Sequence, residues 1–303
     1  MAMLMAYLPK VAKSRATVLL TGETGTGKER VAQAIHDLSP RSMKPFVVVN
    51  CGALPDSLIE SELFGHARGA FTGAVGAVRG RIAEADGGTL FLDEIGEMSL
   101  YAQSRLLRVL ETQVVVPLGG GLPQHVDIRV VAATNRELES EVKAQRFRAD
   151  LFYRLNVARL ILPPLRSRPG DVALLAEHLI AELNLRDNLH VEGLGPALVS
   201  TFSAYDWPGN VRELRNVIEA IFIDPPEGIL HFEHLPMALQ SQFSSYTRTD
   251  PQSERTLLLE TLERTKWNKV EAAKALHWSR MTLYRKLVKY EVSEGGPNLR
   301  DGV

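Results

Sequence analysis

Short apolar runs alternate with helical spacing from Ala16 to about Leu165. Ala16–Leu20, Phe46–Val49, Thr89–Leu92 and Ile128–Ala133 are each four to six residues long, mostly β-branched or aromatic, and bounded by glycine or polar residues. That pattern predicts buried strands. Stretches such as Gln103–Leu110 between them have helical periodicity. Strand–helix alternation predicts an α/β fold, a parallel sheet with helices on both faces. The proline-rich run Leu162–Pro169 ends this region, and from Asp171 to about Leu239 the apolar spacing is helical only. An α-helical subdomain without strands is expected there. Residues 240–253 are rich in Ser, Thr and Gln and read as a linker. Helical pattern returns from Glu254 to Val292, and the tail 293–303, with three glycines and a proline, is expected to be disordered. The expected division is 1–165, 166–239, 240–253, 254–292 and 293–303, with no internal repeats and no heptads.

Composition adds little until it is segmented. The 303 residues carry 35 Lys+Arg and 36 Asp+Glu, a net charge of −1, which by itself argues against nucleic acid as a partner. Residues 264–290 reverse that: eight basic residues stand against Glu271 alone, a net of +7 that leaves −8 on the remainder. Within this basic stretch Lys269–Leu276 reads as a helix, His277-Trp278 as a turn and Ser279–Lys289 as a second helix, with Ser279 as its N-cap. Leu276, Leu283 and Leu287 form its inward face. The pattern is a helix-turn-helix whose second helix would enter the major groove of double-stranded DNA. Ser279, Arg280, Thr282, Arg285, Lys286 and Lys289 are the candidate DNA contacts, with Arg280 and Arg285 suited to base edges or phosphates and Lys286 and Lys289 to phosphates. A solvated basic helix pair is the plainer alternative.

Cys51 is the only cysteine, which excludes an internal disulfide and suits a reducing compartment. The N-terminus lacks a basic segment and a cleavage pattern, and no run of 18 apolar residues exists. A cytoplasmic protein that makes no use of a membrane is expected.

Candidate chemistry starts where Val18–Leu20 runs into Gly22-Glu23-Thr24-Gly25-Thr26-Gly27-Lys28, followed by the helical stretch Glu29–Ile35. Glycines at this spacing let backbone N–H groups converge on phosphate oxygens. The helix N-terminus adds partial positive charge, and Lys28 reaches the β- and γ-phosphates. Glu29 stands where a Ser or Thr ordinarily meets Mg²⁺, so a glycine-rich turn that binds nothing stays open on this segment alone. The second half-site weighs against that. Leu90–Leu92 ends in Asp93 and Glu94, the form of a Walker B element. Asp93 would hold Mg²⁺, and Glu94 would orient and deprotonate a water, which favours ATP hydrolysis over transfer to an acceptor. Asn135, after Ala132–Thr134, could sense the γ-phosphate; a strand-end turn asparagine fits it equally well.

At this point the sequence resembles the AAA+ ATPases that activate sigma-54 RNA polymerase, over residues 3 to about 292. The sharpest element is Gly69-Ala70-Phe71-Thr72-Gly73-Ala74, the family's GAFTGA signature unchanged, after Glu60–His66. The resemblance implies a hinged loop with Phe71 and Thr72 at its tip that contacts sigma-54; without it, a hairpin turn with Phe71 in the core would serve. It also implies that Glu29 is ordinary in this loop and that Asn50 is a switch residue holding Glu94. Arg148 and Arg154 in Phe147–Leu155 would be arginine fingers for a neighbouring subunit, and Arg212 in Trp207–Leu214 a second sensor. Surface ion pairs are the plainer reading of all three arginines. Fingers acting in trans imply a ring, a hexamer. Pro117–Pro123 fits a second pore-side loop, with Pro117 where an arginine is common. The basic C-terminal helices resemble the family's Fis-type domain, with His277 at a turn position usually held by glycine and Met281 at an N-terminal recognition-helix position.

The ATPase pattern begins almost at Met1, so either a partner protein regulates the chain in trans or a regulatory segment has been removed. The function these expectations favour is a sigma-54-dependent activator. One rival is a DNA-binding regulator or repressor with the AAA+ fold that leaves sigma-54 alone; another is a AAA+ motor for a different target.

Overall fold

The computed structural model describes residues 2–70, 74–244, 246, 251–265, 267–276, 283–284, 286–287, 290 and 292. The chain divides into two compact units, Met1–His190 with Asp206–Pro225, and Val191–Tyr205 with Pro226–Val303.

The first unit is built on a five-stranded parallel sheet of β1 (Val18–Thr21), β2 (Phe46–Asn50), β3 (Thr89–Asp93), β4 (Arg129–Thr134) and β5 (Ala158–Ile161), in the spatial order β2-β3-β4-β1-β5. The central strands are apolar on both faces because helices cover both. Leu19, Leu90, Leu92, Val130 and Ala132 face one core, and Val18, Leu20, Phe91, Val131 and Ala133 the other. This is the alternation a doubly covered strand requires. The decisive feature is the insertion of β4 between β1 and β3. It brings the C-terminal ends of three strands side by side at one edge, where ligands of open α/β sheets bind.

Helix α1 (Ala2–Lys13) precedes the sheet and continues through Pro9. Leu8, Val11 and Ala12 bury one side of it. Its last carbonyls are held by Arg129, whose guanidinium donates to the carbonyls of Ala12 at 2.5 Å and Val11 at 2.6 Å. Burial lowers the pKa of this arginine. The negative end of the helix dipole offsets part of that cost.

Helix α2 (Lys28–Asp37) follows the glycine-rich loop, and α3 (Leu100–Thr112) is N-capped by Ser99, which accepts from the Ala102 N–H. Two short antiparallel pairs project from this layer: Gly65–His66 with Val78–Arg79, and Val114–Val115 with Gln124–His125. Helix α4 (Ala149–Leu155) packs on α3, and α5 (Pro169–Asp187) packs on α6 (Asn210–Ile221). Among the described residues no helix is long and apolar enough to cross a membrane.

Helix Pro196–Ala204 in the second unit carries Phe202, which packs with Phe243, itself edge-on to Tyr205 at 4.8 Å. Two features depart from the sequence expectation. Val191–Leu194 and Gly228–Leu230 form a parallel pair in a region read as strand-free. They are three or four residues long and carry glycine, so they lack a strand signature. Residues 240–253, read as linker, are helical at both ends, within Met237–Phe243 and Pro251–Arg264. Helix Lys269–Ala275 follows, and Leu258, Leu262, Ala272, Ala273, Leu283 and Leu287 form one buried cluster with Leu276 against it. That is the inward face the leucine spacing predicts. The tail 293–303 lies outside the described residues.

Candidate functional site

The glycine-rich loop between β1 and α2 reverses direction with left-handed residues. Gly25 has φ +78° and Gly27, the N-cap of α2, +97°. A side chain on Gly25 would strike the Gly209 carbonyl at 2.3 Å, so glycine is obligatory there; at Gly27 nothing lies within 4 Å and the loop's mouth is open. Lys28 is buried, and its ammonium donates to the carbonyls of Gly22 (3.0 Å) and Glu23 (3.2 Å). Burial lowers its pKa, while the nearby charges of Glu94 and Asp93 oppose that shift. Exposed Glu29 faces the same cleft.

Asp93 ends β3 and Glu94 follows in the left-handed region at φ 51°, ψ 45°. A non-glycine residue held there is strained, and such strain concentrates at functional sites. The Asp93 carboxylate accepts from the Glu94 N–H at 3.0 Å. Asn135, one residue past β4, joins the two half-sites. Its side-chain amide donates to Thr24 Oγ1 at 3.0 Å and its N–H to Glu94 Oε2 at 3.4 Å. Arg212, in the first turn of α6, closes the other wall with Val211, Leu175, His178 and Leu179. The resulting cleft measures about 570 Å³ and brings Thr24, Gly25, Gly27, Lys28, Glu29, Asp93, Glu94 and Arg212 together.

Asn50 is placed differently from the switch role expected of it. Its Oδ1 accepts from the Gly52 N–H at 2.9 Å, and Glu94 meets Asn135 instead. The neighbouring Cys51 is buried, and its thiol is pushed up to about 12, by burial first and then by Asp93 and Glu94. That makes it an inert packing residue.

Arg148 is the N-cap of α4 and Arg154 lies in its last turn, both away from the lining of their own cleft. Arg148 grips Asp150 through two hydrogen bonds (3.0 and 2.7 Å), and Arg154 donates to the Leu110 carbonyl at 2.9 Å.

The base of the Gly69–Ala74 loop is built on the Gly65–His66 pair. The Gly69 N–H donates to the Ala74 carbonyl at 2.9 Å. The Ala67 N–H donates to Leu118 (2.9 Å) and the Leu118 N–H to Gly65 (2.8 Å), so the Pro117–Pro123 loop supports this base. Phe71, Thr72 and Gly73 lie outside the described residues, as do Ser279, Arg280, Thr282, Arg285, Lys289, His277 and Met281. Lys286 is described, with its ammonium 5.9 Å from the Tyr290 ring.

Sequence reading missed Arg166, Arg168 and Asn210. Arg166 binds Glu23 with two hydrogen bonds (2.8 and 2.5 Å). These bonds, then one from Asn210, hold the Glu23 carboxyl at about 2, well below the usual carboxylate range. Pro-Gly-Asn before a helix was the available signal, since asparagine tolerates the left-handed region that Asn210 occupies at φ 52°.

Residues 1–161 match the family described as Sigma-54 interaction domain, 166–252 the AAA+ ATPase lid domain, and 251–290 the bacterial regulatory protein, Fis family. The chain belongs to the sigma-54-dependent activators. Curated members of that family similar to it include the nitrogen fixation protein VnfA of Azotobacter vinelandii, 43% identical over 94% of this chain and 56% of its own length. The regulatory protein AtoC of Escherichia coli is 45% identical over 93% of this chain and 64% of its own. The chain thus spans about three-fifths of the length of these two activators. NtrX of Brucella abortus, solved in complex with ADP and with ATP, superposes with a TM-score of 0.73 at 30% identity, covering 96% of this chain and 68% of that one. For this member of the family the fold is thus the AAA+ P-loop sheet with a helical lid and a C-terminal helix-turn-helix.

Proposed function

We propose that this chain hydrolyses ATP in the cleft between the glycine-rich loop and α6, and uses that energy to remodel sigma-54 RNA polymerase at promoters. The observation that carries the reading is the convergence of Lys28, Asp93, Glu94 and Arg212 on one cleft from three separate stretches of chain, with Asn135 from a fourth stretch bonded to Glu94 and Thr24 at its edge. The open mouth at Gly27 and the buried ammonium of Lys28 fit a phosphate chain, and the Asp93 carboxylate on the same wall fits a hard cation. Asp93 would hold a magnesium ion, whose charge offsets that of the phosphate oxygens.

In this reading the loop N–H groups and Lys28 bind the phosphates, with Gly22 to Glu29 around them. Glu94 orients a water and takes its proton as the water oxygen attacks the γ-phosphorus and ADP leaves. Asn135 ties Glu94 to the glycine-rich loop, so loss of the γ-phosphate can move both. Arg212 faces the phosphates from α6, and Asn50 would engage Glu94 in another nucleotide state. Arg148 and Arg154 would serve a neighbouring subunit's cleft in a cytoplasmic ring, a hexamer. Regulation by a partner in trans fits the same scheme. The working division is 1–165 for the ATPase core, 166–239 for the lid and 254–292 for the DNA-binding domain, which would hold the ring at an upstream site, with 240–253 between them helical at both ends.

A purified transcription assay tests the whole. ATP-dependent open complexes are expected from sigma-54 polymerase, and Thr72→Ala is expected to abolish them while hydrolysis continues. Open complexes that persist with Thr72→Ala would remove the loop Gly69–Ala74 from sigma contact; their absence with the unaltered chain would favour a regulator that leaves sigma-54 alone.

The net +7 of residues 264–290 supports DNA as the second partner. Affinity is expected to fall steeply with salt, with a slope of about −0.9 per phosphate neutralised. Replacing Arg280 and Arg285 together by alanine should weaken binding by roughly 10²-fold, in line with two lost charge-assisted contacts. An unchanged binding isotherm for that double variant would refute the assignment of the second helix.

A further inference from the structure

The glycine-rich loop is held from behind as well as open in front. Three successive carbonyls of it accept hydrogen bonds from the helical side of the unit. Thr24 accepts from the Asn210 side chain at 3.0 Å, Gly25 from the Val211 N–H at 2.9 Å, and Thr26 from the Arg168 guanidinium at 3.1 Å. The preceding residue, Glu23, is bound through its carboxylate by Arg166 and, at 3.2 Å, by Asn210. Four consecutive loop residues are thus tied to two short segments, 165–168 and 210–211.

Asn210 is the centre of this clasp. It is fully buried and left-handed at φ 52°, and its Oδ1 accepts from the Leu165 N–H at 2.8 Å while its amide nitrogen serves Glu23 and Thr24. The backbone donor on one side and the backbone acceptor on the other fix which way the amide faces. Every polar atom of the side chain is used, and the strain at its backbone is retained by those bonds.

The peptide unit is planar and trans, so a carbonyl and the N–H of the next residue point in opposite directions. Holding the carbonyls of Thr24, Gly25 and Thr26 outward therefore turns the N–H groups of Gly25, Thr26 and Gly27 toward the inner side of the loop, where that of Thr26 reaches the Glu23 carbonyl at 3.4 Å. Lys28 marks that side, because its ammonium lies on the carbonyls of Gly22 and Glu23. A nest of N–H groups binds an anion in proportion to how little it must reorganise.

We infer that Asn210 and Arg168, assisted by Arg166, are positioning residues that hold the peptide planes of the glycine-rich loop in their phosphate-binding orientation. They act through the loop and not on the nucleotide. The inference rests on the reading that the cleft binds nucleotide, and it adds residues that the loop's own spacing does not contain. It also gives the lid a second task besides carrying Arg212: movement of segments 165–168 and 210–211 would loosen the phosphate nest itself.

Titration calorimetry of the full chain with ADP tests it, alongside thermal unfolding without nucleotide. Asn210→Ala and Arg168→Leu are each expected to raise the Kd for ADP roughly tenfold, the scale of one or two lost hydrogen bonds. Arg168→Lys keeps a donor for the Thr26 carbonyl and is expected to recover most of the loss. Arg166→Gln, at a half-exposed side chain, should raise Kd by only about threefold. If Asn210→Ala does not fold, the comparison of Arg168→Leu with Arg168→Lys decides. Folded Asn210→Ala and Arg168→Leu chains that bind ADP as the unaltered chain does would overturn the inference, as would equal weakening by leucine and lysine at 168. An unaltered chain that binds no ADP would instead overturn the nucleotide reading, and the clasp with it.

Discussion

Glu94→Gln is expected to lower ATP hydrolysis by roughly 10²- to 10⁴-fold while the Kd for ATP stays within about twofold, since general-base catalysis contributes on that scale. Glutamine keeps the size of the side chain and an oxygen able to accept from the Asn135 N–H, which lies 3.4 Å from Glu94 Oε2. What it lacks is the basicity to take a proton from water. The backbone makes the position specific: at φ 51° and ψ 45° the residue is turned out of the line of β3, so its side chain leaves the strand end toward the cleft. Phosphate release measured beside calorimetric ATP binding separates the two effects. Hydrolysis near the unaltered rate would remove Glu94 from the reaction, and a parallel collapse of binding would make it a structural residue.

Alanine at Arg148 and Arg154 together should reduce hydrolysis by roughly 10³- to 10⁵-fold if the pair acts as arginine fingers. The geometry makes a sharper demand than the loss itself. Neither side chain lines the cleft of its own subunit, so an effect of either on the reaction would have to fall on a neighbour. Mixing the Arg148→Ala, Arg154→Ala chain with the Glu94→Gln chain should restore hydrolysis to a sizeable fraction of the unaltered rate. In mixed rings some interfaces pair an intact Glu94 with intact arginines. The two arginines must first leave Asp150 and the Leu110 carbonyl, both exposed partners worth little in water. A mixture as inactive as either parent would place the arginines in their own subunit's chemistry, and undiminished hydrolysis by the double-alanine chain would make them surface ion pairs.

Much of the site was legible because its residues sit in contiguous stretches with a fixed mechanical purpose. Gly22–Lys28 between an apolar run and a helix, and Asp93-Glu94 after another apolar run, are local patterns, and the structure places both on one cleft. Asn135 was legible only as an even choice. What settles its position is the insertion of β4 between β1 and β3, which puts its amide against Thr24 and its N–H against Glu94. The Asn50–Glu94 contact did not appear, because the Asn50 side chain closes a local turn onto Gly52. The parallel pair Val191–Leu194 and Gly228–Leu230 escaped notice for a different reason: its paired residues are 36 or 37 positions apart, and its strands are too short for period-two alternation to register.

The sequence alone determined the alternation of strands and helices, the glycine loop, the acidic pair, the GAFTGA segment and the basic C-terminal stretch. All are properties of neighbours along the chain, fixed by spacing, propensity and side-chain chemistry. Only the tertiary structure decided the strand order, the left-handed backbone of Glu94 and Asn210, and the hold of Arg166, Arg168 and Asn210 on the glycine loop. Those features join residues as much as 187 positions apart. No local pattern encodes such a pairing, because the hydrogen bonds that fix it exist only once two covered faces of one sheet have closed around the same strand ends.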